Sequence, residues 1–187
     1  PWSEFLFVND SACNLASLNL VKFLKDDGSF DVNAFRHACR IFVTAQEILV
    51  DLASYPTKEI GQNSHDFRPL GLGFANLGGL LMRCGLPYDS DEARAMAAAI
   101  SAIMTGVAYN TSAEMAKNKG TFVRFEENRD VMLKVINQHK EHAYDIDADA
   151  CPKYLLSAAQ NEWDEVLENG EKFGFRNAQT TAVAPTG

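Results

Sequence analysis

Of the four cysteines in the chain, Cys13 is the one whose neighbours suggest chemistry. It stands at the head of an alternating polar and apolar run, with Asp10 and Ser11 before it and Asn14 directly after it. A thiol in polar surroundings is suited to nucleophilic or redox work, because the thiolate is the reactive form. The sequence therefore makes Cys13 the candidate functional thiol, with a purely structural role as the alternative.

The other three cysteines favour structural roles. Cys39 and Cys84 lie in apolar stretches with helical spacing, where cysteine behaves as a small core residue. Cys151 precedes Pro152 at a helix start, a place that can lower a thiol pKa, but an inert thiol is the simpler interpretation. No two cysteines have CxxC spacing, and four in 187 residues are too sparse for a disulfide scaffold.

Two glycine-containing motifs raise the question of phosphate binding. Gly71-x-Gly73 resembles the start of a dinucleotide fingerprint, but Asn76 occupies the place of the third glycine, so we interpret both glycines as packing devices. The last four residues, 184–187, read Ala-Pro-Thr-Gly and predict a turn. Its threonine hydroxyl and backbone N–H groups would suit an anion if a helix followed, with a plain turn as the alternative.

No metal site is predicted. His139 and His142 are three residues apart on a predicted helix, but the flanking Lys140 and Glu141 indicate a solvated face.

Composition narrows the class of protein. The chain has 187 residues, 47% of them hydrophobic, a net charge of −8 and a pI near 5.0. Such an acidic balance argues against a protein that coats nucleic acid and favours small-molecule partners. No apolar run is long enough for a membrane helix and no signal peptide is present, which predicts a soluble cytosolic protein. Neither end of the sequence shows a feature typical of a chain terminus, which suggests a segment of a longer polypeptide.

Apolar spacing predicts the elements that position these residues. We expect a short strand over 13–20, a six-turn helix that Asp31 caps and that ends before Pro56, and irregular structure over 56–68. A buried strand from residue 70 should pass into a Gly-containing helix that ends at Gly85. A second cap, within residues 88–92, precedes a long helix over 91–119. Helices follow at 127–144 and 153–172, and 178–183 is a β-prone run. This alternation indicates α/β structure, either part of a barrel or part of an open sheet.

Five segments, in this order, resemble one enzyme family from the first residue to the last. They are residues 1–4 (PWSE), 11–20 (SACNLASLNL), 63–73 (NSHDFRPLGLG), 86–91 (LPYDSD) and 176–187 (RNAQTTAVAPTG). Together they resemble the catalytic subunit of the adenosylcobalamin-dependent, class II ribonucleotide reductases. The resemblance covers this whole chain but a minor part of that subunit.

The resemblance implies roles for individual residues. Glu4 would be the acid/base near the ribose, and Cys13 one of the two cysteines that reduce the 2′ carbon and end as a disulfide. Trp2 occupies the position of the family's radical cysteine, which implies that the chain as written does not initiate nucleotide reduction. The implied substrate-binding residues are Ser3, Ala184, Pro185, Thr186 and Gly187, the last four as the phosphate loop.

The implied fold is a helix-rich part of a ten-stranded α/β barrel, with residues 1–187 as an incomplete portion of that catalytic domain. Adenosylcobalamin would be the radical source, a ribonucleotide the substrate, and a dithiol protein such as thioredoxin the reductant. The full-length enzyme would be a homodimer.

Two alternatives stay open. One is a reductase of the same superfamily whose radical comes from a metal-containing subunit. The other is a non-catalytic paralogue or truncated product that serves as a binding or structural module, which Trp2 favours and which the retention of Glu4, Cys13 and the 184–187 motif disfavours.

Overall fold

Two parallel strands and six α-helices make up the regular structure of residues 5–185, the part of the chain that the computed structural model describes. A short 3₁₀ helix, Leu20–Phe23, follows the first strand. The elements in chain order are β1 (Asn14–Asn19), α1 (Val32–Leu52), α2 (Lys58–Phe67), β2 (Leu70–Ala75), α3 (Leu77–Arg83), α4 (Asp91–Lys119), α5 (Phe125–Tyr144) and α6 (Lys153–Phe173).

β2 lies at the centre of the small sheet. On one side it pairs in parallel with β1, in a register that runs from Asn14 opposite Leu70 to Asn19 opposite Ala75. On the other side lies the 178–183 segment, which also runs parallel to β2. The Leu72 N–H donates to Thr180 O at 3.1 Å, and the Ala182 N–H donates to Leu72 O at 3.0 Å. The predicted β-prone run is therefore an extended neighbour of β2, joined to it by backbone hydrogen bonds.

The sheet has one covered face and one open face. Leu70 and Leu72 are fully buried on the covered face, against α1. Opposite them, Leu15, Ser17 and Asn19 of β1 are exposed, and their partners on β2 are Gly71, Gly73 and Ala75. We call this second surface, formed by residues 15, 17 and 19 with residues 71, 73 and 75, the open face. Gly71 and Gly73 are themselves buried, because other groups of the chain lie close above them.

The helices build the core behind the covered face. α1 contacts both strands and α4, α6 lies against α4, and α5 lies against α6. The α1 residues Phe35, Cys39 and Val43 are completely buried against this core, and full burial of an aliphatic or aromatic side chain contributes about 1.5–3 kcal/mol. The confirmed helices follow the predicted spacing closely, and α5 begins at Phe125, two residues before the predicted start.

An aromatic cluster fixes the outer helices. Tyr109 of α4 meets Phe175 edge to face, with ring centroids 5.5 Å apart. Trp163 of α6 is buried and donates its indole N–H to Ala102 O at 3.1 Å. Edge-to-face pairs and a satisfied indole N–H stabilise a core beyond the area they bury.

Hydroxyl and carboxylate side chains begin several helices. Asp31 accepts from the Ala34 N–H at 3.0 Å and Ser90 from the Ala93 N–H at 3.1 Å, as their positions in the sequence indicate. The prediction of irregular structure over 56–68 is wrong, because α2 occupies most of it. Its polar sequence gives little apolar periodicity, and the signal that marks it is Thr57, which accepts from the Ile60 N–H at 3.2 Å.

Among the helices of residues 5–185, none combines the length and the apolar character required to cross a membrane.

We expect Thr57→Ala to lower the free energy of unfolding by about 1 kcal/mol, because an N-cap hydroxyl satisfies a helix N–H that alanine leaves unpaired. Chemical denaturation measures the change. Thr44→Ala is the matched control, since the exposed Thr44 hydroxyl donates to Arg40 O within α1 and caps nothing. Equal losses from both substitutions would contradict the capping role.

Candidate active site

Cys13 precedes β1 and is partly buried beside β2. Its thiol lies 3.6 Å from the Asn14 carbonyl oxygen, which accepts from it. It also lies directly over Gly71, where an added Cβ would stand 2.6 Å from Cys13 Sγ. The same Cβ would meet the Leu15 side chain, so the thiol shares the open face with Leu15.

Both chain neighbours of Cys13 are anchored to helices. The Ala12 N–H donates to Ser64 Oγ of α2 at 3.2 Å. On the other side, Asn14 Nδ2 donates to Gln46 O of α1 at 3.1 Å, and Gln46 Nε2 donates back to Asn14 O at 2.9 Å. Cys13 therefore sits on a short backbone segment that two different helices hold.

A buried carboxylate organises the adjacent end of the sheet. Glu47 Oε1 accepts from Arg68 Nε at 2.6 Å and from Arg176 Nε at 2.7 Å. Glu47 Oε2 accepts from Asn177 Nδ2 at 2.6 Å, and the same amide nitrogen donates to Arg68 O at 2.9 Å. Arg68 stands just before β2, and residues 176–177 stand just before the 178–183 segment, so one side chain of α1 joins the starts of both. Sequence reasoning missed this network, because its members are far apart in the chain.

Two further groups complete this network. Arg68 Nη1 donates to Asp51 at 2.8 Å, and this hydrogen bond holds the pKa of the Asp51 carboxyl below its usual range. Burial alone would lower the pKa of Arg68, but its bonds to Asp51 and Glu47 raise it, so the guanidinium stays charged. Ser112 of α4 receives the Asn177 N–H at 2.9 Å and donates to Asn177 Oδ1 at 2.8 Å.

Ala184 and Pro185 lie at the other end of the sheet from Cys13. They follow the 178–183 segment, with Ala184 partly buried and Pro185 exposed. The β1 strand runs from Asn14 to Asn19, and at about 3.3 Å per residue such a strand separates the two ends by roughly 16 Å. The structure thus places Cys13 and residues 184–185 on one small sheet without bringing them into contact.

Five of the predicted site residues lie outside the described part of the chain: Trp2, Ser3, Glu4, Thr186 and Gly187. Their roles stay predictions.

The remaining cysteines are structural, as their sequence context indicates. Cys39 is completely buried, and burial raises the pKa of its thiol to about 12. Burial also raises the pKa of Cys84 and of the buried Cys151. The lowered pKa considered for Cys151 at its helix start does not hold, because desolvation raises the pKa more than the backbone hydrogen bond with Leu156 lowers it.

The two glycines of the Gly71-x-Gly73 motif are packing devices, as predicted. A Cβ at Gly73 would stand 2.5 Å from the Ala182 carbonyl oxygen, so that glycine lets the 178–183 segment approach β2. Gly71 makes the corresponding room on the β1 side, under Cys13.

Comparison with known proteins places this geometry in a family context. The family model described as "Ribonucleotide reductase, barrel domain" matches residues 2–187. A "Vitamin B12-dependent ribonucleotide reductase" of Rhodopirellula baltica is 56% identical over 187 residues, covering 100% of this chain and 18% of that relative. One of the same name from Agrobacterium fabrum is 48% identical over 204 residues, covering 100% of this chain and 16% of the relative.

A more distant relative carries a different name. The "Ribonucleoside-diphosphate reductase subunit alpha" of Chlamydia pneumoniae is 27% identical over 184 residues, covering 94% of this chain and 17% of the relative. The chain thus spans less than a fifth of the length of these three relatives.

We expect Glu47→Gln to lower the free energy of unfolding by about 3–5 kcal/mol, because it leaves buried guanidinium charge without its carboxylate. Urea denaturation followed by circular dichroism measures this. The matched control is Glu114→Gln, whose carboxylate pairs with Arg40 at the surface with both side chains nearly half exposed; there we expect at most about 1 kcal/mol. Similar losses at both positions would contradict the role assigned to Glu47.

The Asp51 pKa predicts a pH dependence. A carboxyl whose pKa is lower in the folded state stabilises the fold above its unfolded pKa, about 3.9, and loses that contribution as the pH falls through the folded value. The difference in melting temperature between the native chain and Asp51→Asn should therefore be largest near pH 7 and should shrink below pH 4. A difference that stays constant down to pH 2 would contradict this assignment.

Proposed function

Because this chain belongs to the ribonucleotide reductase barrel-domain family, and its parallel strands with helices behind them are part of that α/β barrel, we propose that it supplies part of the catalytic barrel of a vitamin B12-dependent ribonucleotide reductase. The observation that carries the proposal is the match over essentially the whole chain, with relatives of that name 56% and 48% identical.

The name of the relatives bears on the choice between radical sources. Over the aligned segments, two relatives named for vitamin B12 are 56% and 48% identical to this chain, whereas the relative named as a subunit alpha is 27% identical. This difference favours a cobalamin-dependent enzyme over the class that draws its radical from a metal-containing subunit.

In this proposal Cys13 is one member of the reducing thiol pair. Removal of the ribose 2′-hydroxyl requires a radical at C3′, a proton for the leaving hydroxyl, and two electrons from two thiols. The hydroxyl leaves as water, and the two thiols end as a disulfide. The placement of Cys13 Sγ on the open face, between two anchored residues, supports its assignment to this step.

The other roles follow from the resemblance. Glu4 would hold the proton for the leaving hydroxyl. Ser3 and residues 184–187 would bind the substrate, with the backbone N–H groups of the terminal loop suited to phosphate oxygens. A nucleotide whose sugar lay at Cys13 would extend along the open face to bring its phosphates toward Ala184 and Pro185.

Adenosylcobalamin would supply the initial radical when bound. The described residues do not form a recognisable binding site for this cofactor. A groove lined mostly by charged and polar residues lies between α1 and α4, and an apolar groove lies beside α5. Neither groove is lined by Cys13, Ala184 or Pro185. We therefore place no cofactor contact on residues 5–185 and assign to this chain only thiol, proton and substrate functions.

Partners and location follow as further parts of the proposal. The disulfide formed at Cys13 has to be reduced after each turnover, which calls for a dithiol reductant such as thioredoxin. The full-length enzyme would act as a homodimer in the cytoplasm, where deoxyribonucleotides are needed.

Trp2 gives weight to a second candidate, a non-catalytic paralogue. An indole cannot carry a thiyl radical, so the two candidates predict opposite outcomes when cysteine replaces it. The retained Cys13, with its thiol seated over Gly71, favours the enzyme.

The decisive experiment uses the longer reductase that contains this segment. With adenosylcobalamin and dithiothreitol present, we expect deoxyribonucleotide formation, followed by chromatography, for the Trp2→Cys protein and not for the protein with Trp2. In the Trp2→Cys background Cys13→Ser should abolish turnover, because serine cannot donate electrons to the 2′ carbon. Cys84→Ser, at a half-buried structural thiol, is the control and should retain turnover. No turnover with either residue at position 2 would favour the paralogue, and turnover of Cys13→Ser would overturn the role of Cys13.

A further inference from the structure

We propose that Gly71 and Gln46 are positioning residues for the Cys13 thiol: Gly71 provides the space in which the sulfur sits, and Gln46 holds the carbonyl group that the thiol contacts. The inference rests on the proposed role of Cys13 as a reducing thiol. Gly71 is buried beneath the Cys13 and Leu15 side chains and Gln46 is buried in α1, so neither residue would touch the substrate.

Gly71 is not required by the backbone. It lies in the interior of β2 and is not among the four glycines of residues 5–185 that have a positive φ. Glycine in the interior of a strand is unfavourable, and where it occurs it often marks the close approach of another group. Backbone packing alone explains Gly73, whose added Cβ would meet the Ala182 carbonyl oxygen.

At Gly71 the groups that approach are the Leu15 side chain and the Cys13 thiol. An added Cβ would stand 2.6 Å from Cys13 Sγ and would overlap the tip of the Leu15 side chain, while the nearest backbone atom, Asn14 O, would be 3.2 Å away. Leu15 is 55% exposed and can turn aside. Alanine at position 71 should therefore be accommodated by the fold, but only if the Cys13 side chain leaves its place.

Gln46 acts on the same thiol from the covered side. Its Nε2 donates to Asn14 O at 2.9 Å, and this is the oxygen that the Cys13 thiol contacts at 3.6 Å. Gln46 is 3% exposed, and its Oε1 is buried with no hydrogen-bond partner in the described part of the chain. An apolar residue would fill this place in α1 without burying an unsatisfied oxygen. The amide N–H that fixes Asn14 O gives a reason for glutamine.

The two contacts together constrain where the sulfur lies. The glycine admits it toward β2, and the fixed carbonyl orients it from the strand start. A reacting group displaced by about 1 Å costs about 100-fold in rate. We therefore expect Gly71→Ala and Gln46→Met to lower kcat by about this factor and to leave the KM for the nucleotide within twofold, because substrate binding is not altered.

The experiment uses the longer reductase in the Trp2→Cys background, with Gly78→Ala as the matched control. Gly78 lies in α3 with nothing within 4 Å of an added Cβ, so its substitution tests the same chemical change without an obstruction. Besides kcat and KM, the rate of Cys13 alkylation by iodoacetamide is measured from pH 6 to 10 by mass spectrometry. This readout does not depend on turnover.

We expect Gly71→Ala and Gln46→Met to change the Cys13 alkylation rate several-fold or to shift its pH profile, while Gly78→Ala leaves both unchanged. Cys39 is completely buried, so its resistance to alkylation reports that a variant is folded. A variant in which Cys39 stays protected is compared with the parent protein. If Gly71→Ala exposes Cys39, the comparison uses Gln46→Met. Unchanged Cys13 alkylation and unchanged kcat in a folded variant would overturn the proposal. If the parent protein with Trp2→Cys itself shows no turnover, a changed alkylation profile in the variants would still support the positioning of the thiol and would count against the reductase function.

Discussion

Two adjacent buried residues of α1 hold the starts of three extended segments, and the rest of the structure depends on this arrangement. Gln46 binds the start of β1 through Asn14. Glu47 binds Arg68 before β2 and both Arg176 and Asn177 before the 178–183 segment. Because the segments are parallel, their starts meet at one edge, and a single helical turn reaches all of them.

Burying a carboxylate to join strands opposes folding. Desolvation of the charge opposes folding, and the guanidinium groups and the amide must compensate for it completely. The network defines how the starts of the segments are arranged, because a carboxylate with three directed hydrogen bonds accepts few alternative arrangements. The apolar contacts behind the covered face supply most of the stability, but they do not specify how the starts of the segments align.

The same edge of the sheet carries Cys13, so the stability of the fold and the position of the thiol have a common origin. Cys13 follows a residue anchored to α2 and precedes a residue anchored to α1. Helices on one face of a sheet thereby fix a side chain that points to the other face. This division leaves Leu15, Ser17 and Asn19 of the open face exposed, while the covered face bears the core.

The sequence by itself determined much of this protein. Apolar spacing gave α1, α4, α5 and α6, hydroxyl and carboxylate caps marked helix starts at Asp31 and Ser90, and polar neighbours distinguished Cys13 from the buried Cys39. These are local signals, and the five segments that resemble the reductase family are also read along the chain. Helix α2 was not predicted, because its short polar sequence has little apolar periodicity. Only the tertiary structure showed that Gly71 lies under Cys13 and that Glu47 meets Arg176, because hydrogen bonds and close approaches between residues distant in the chain depend on how the elements pack and leave no periodic trace in the sequence.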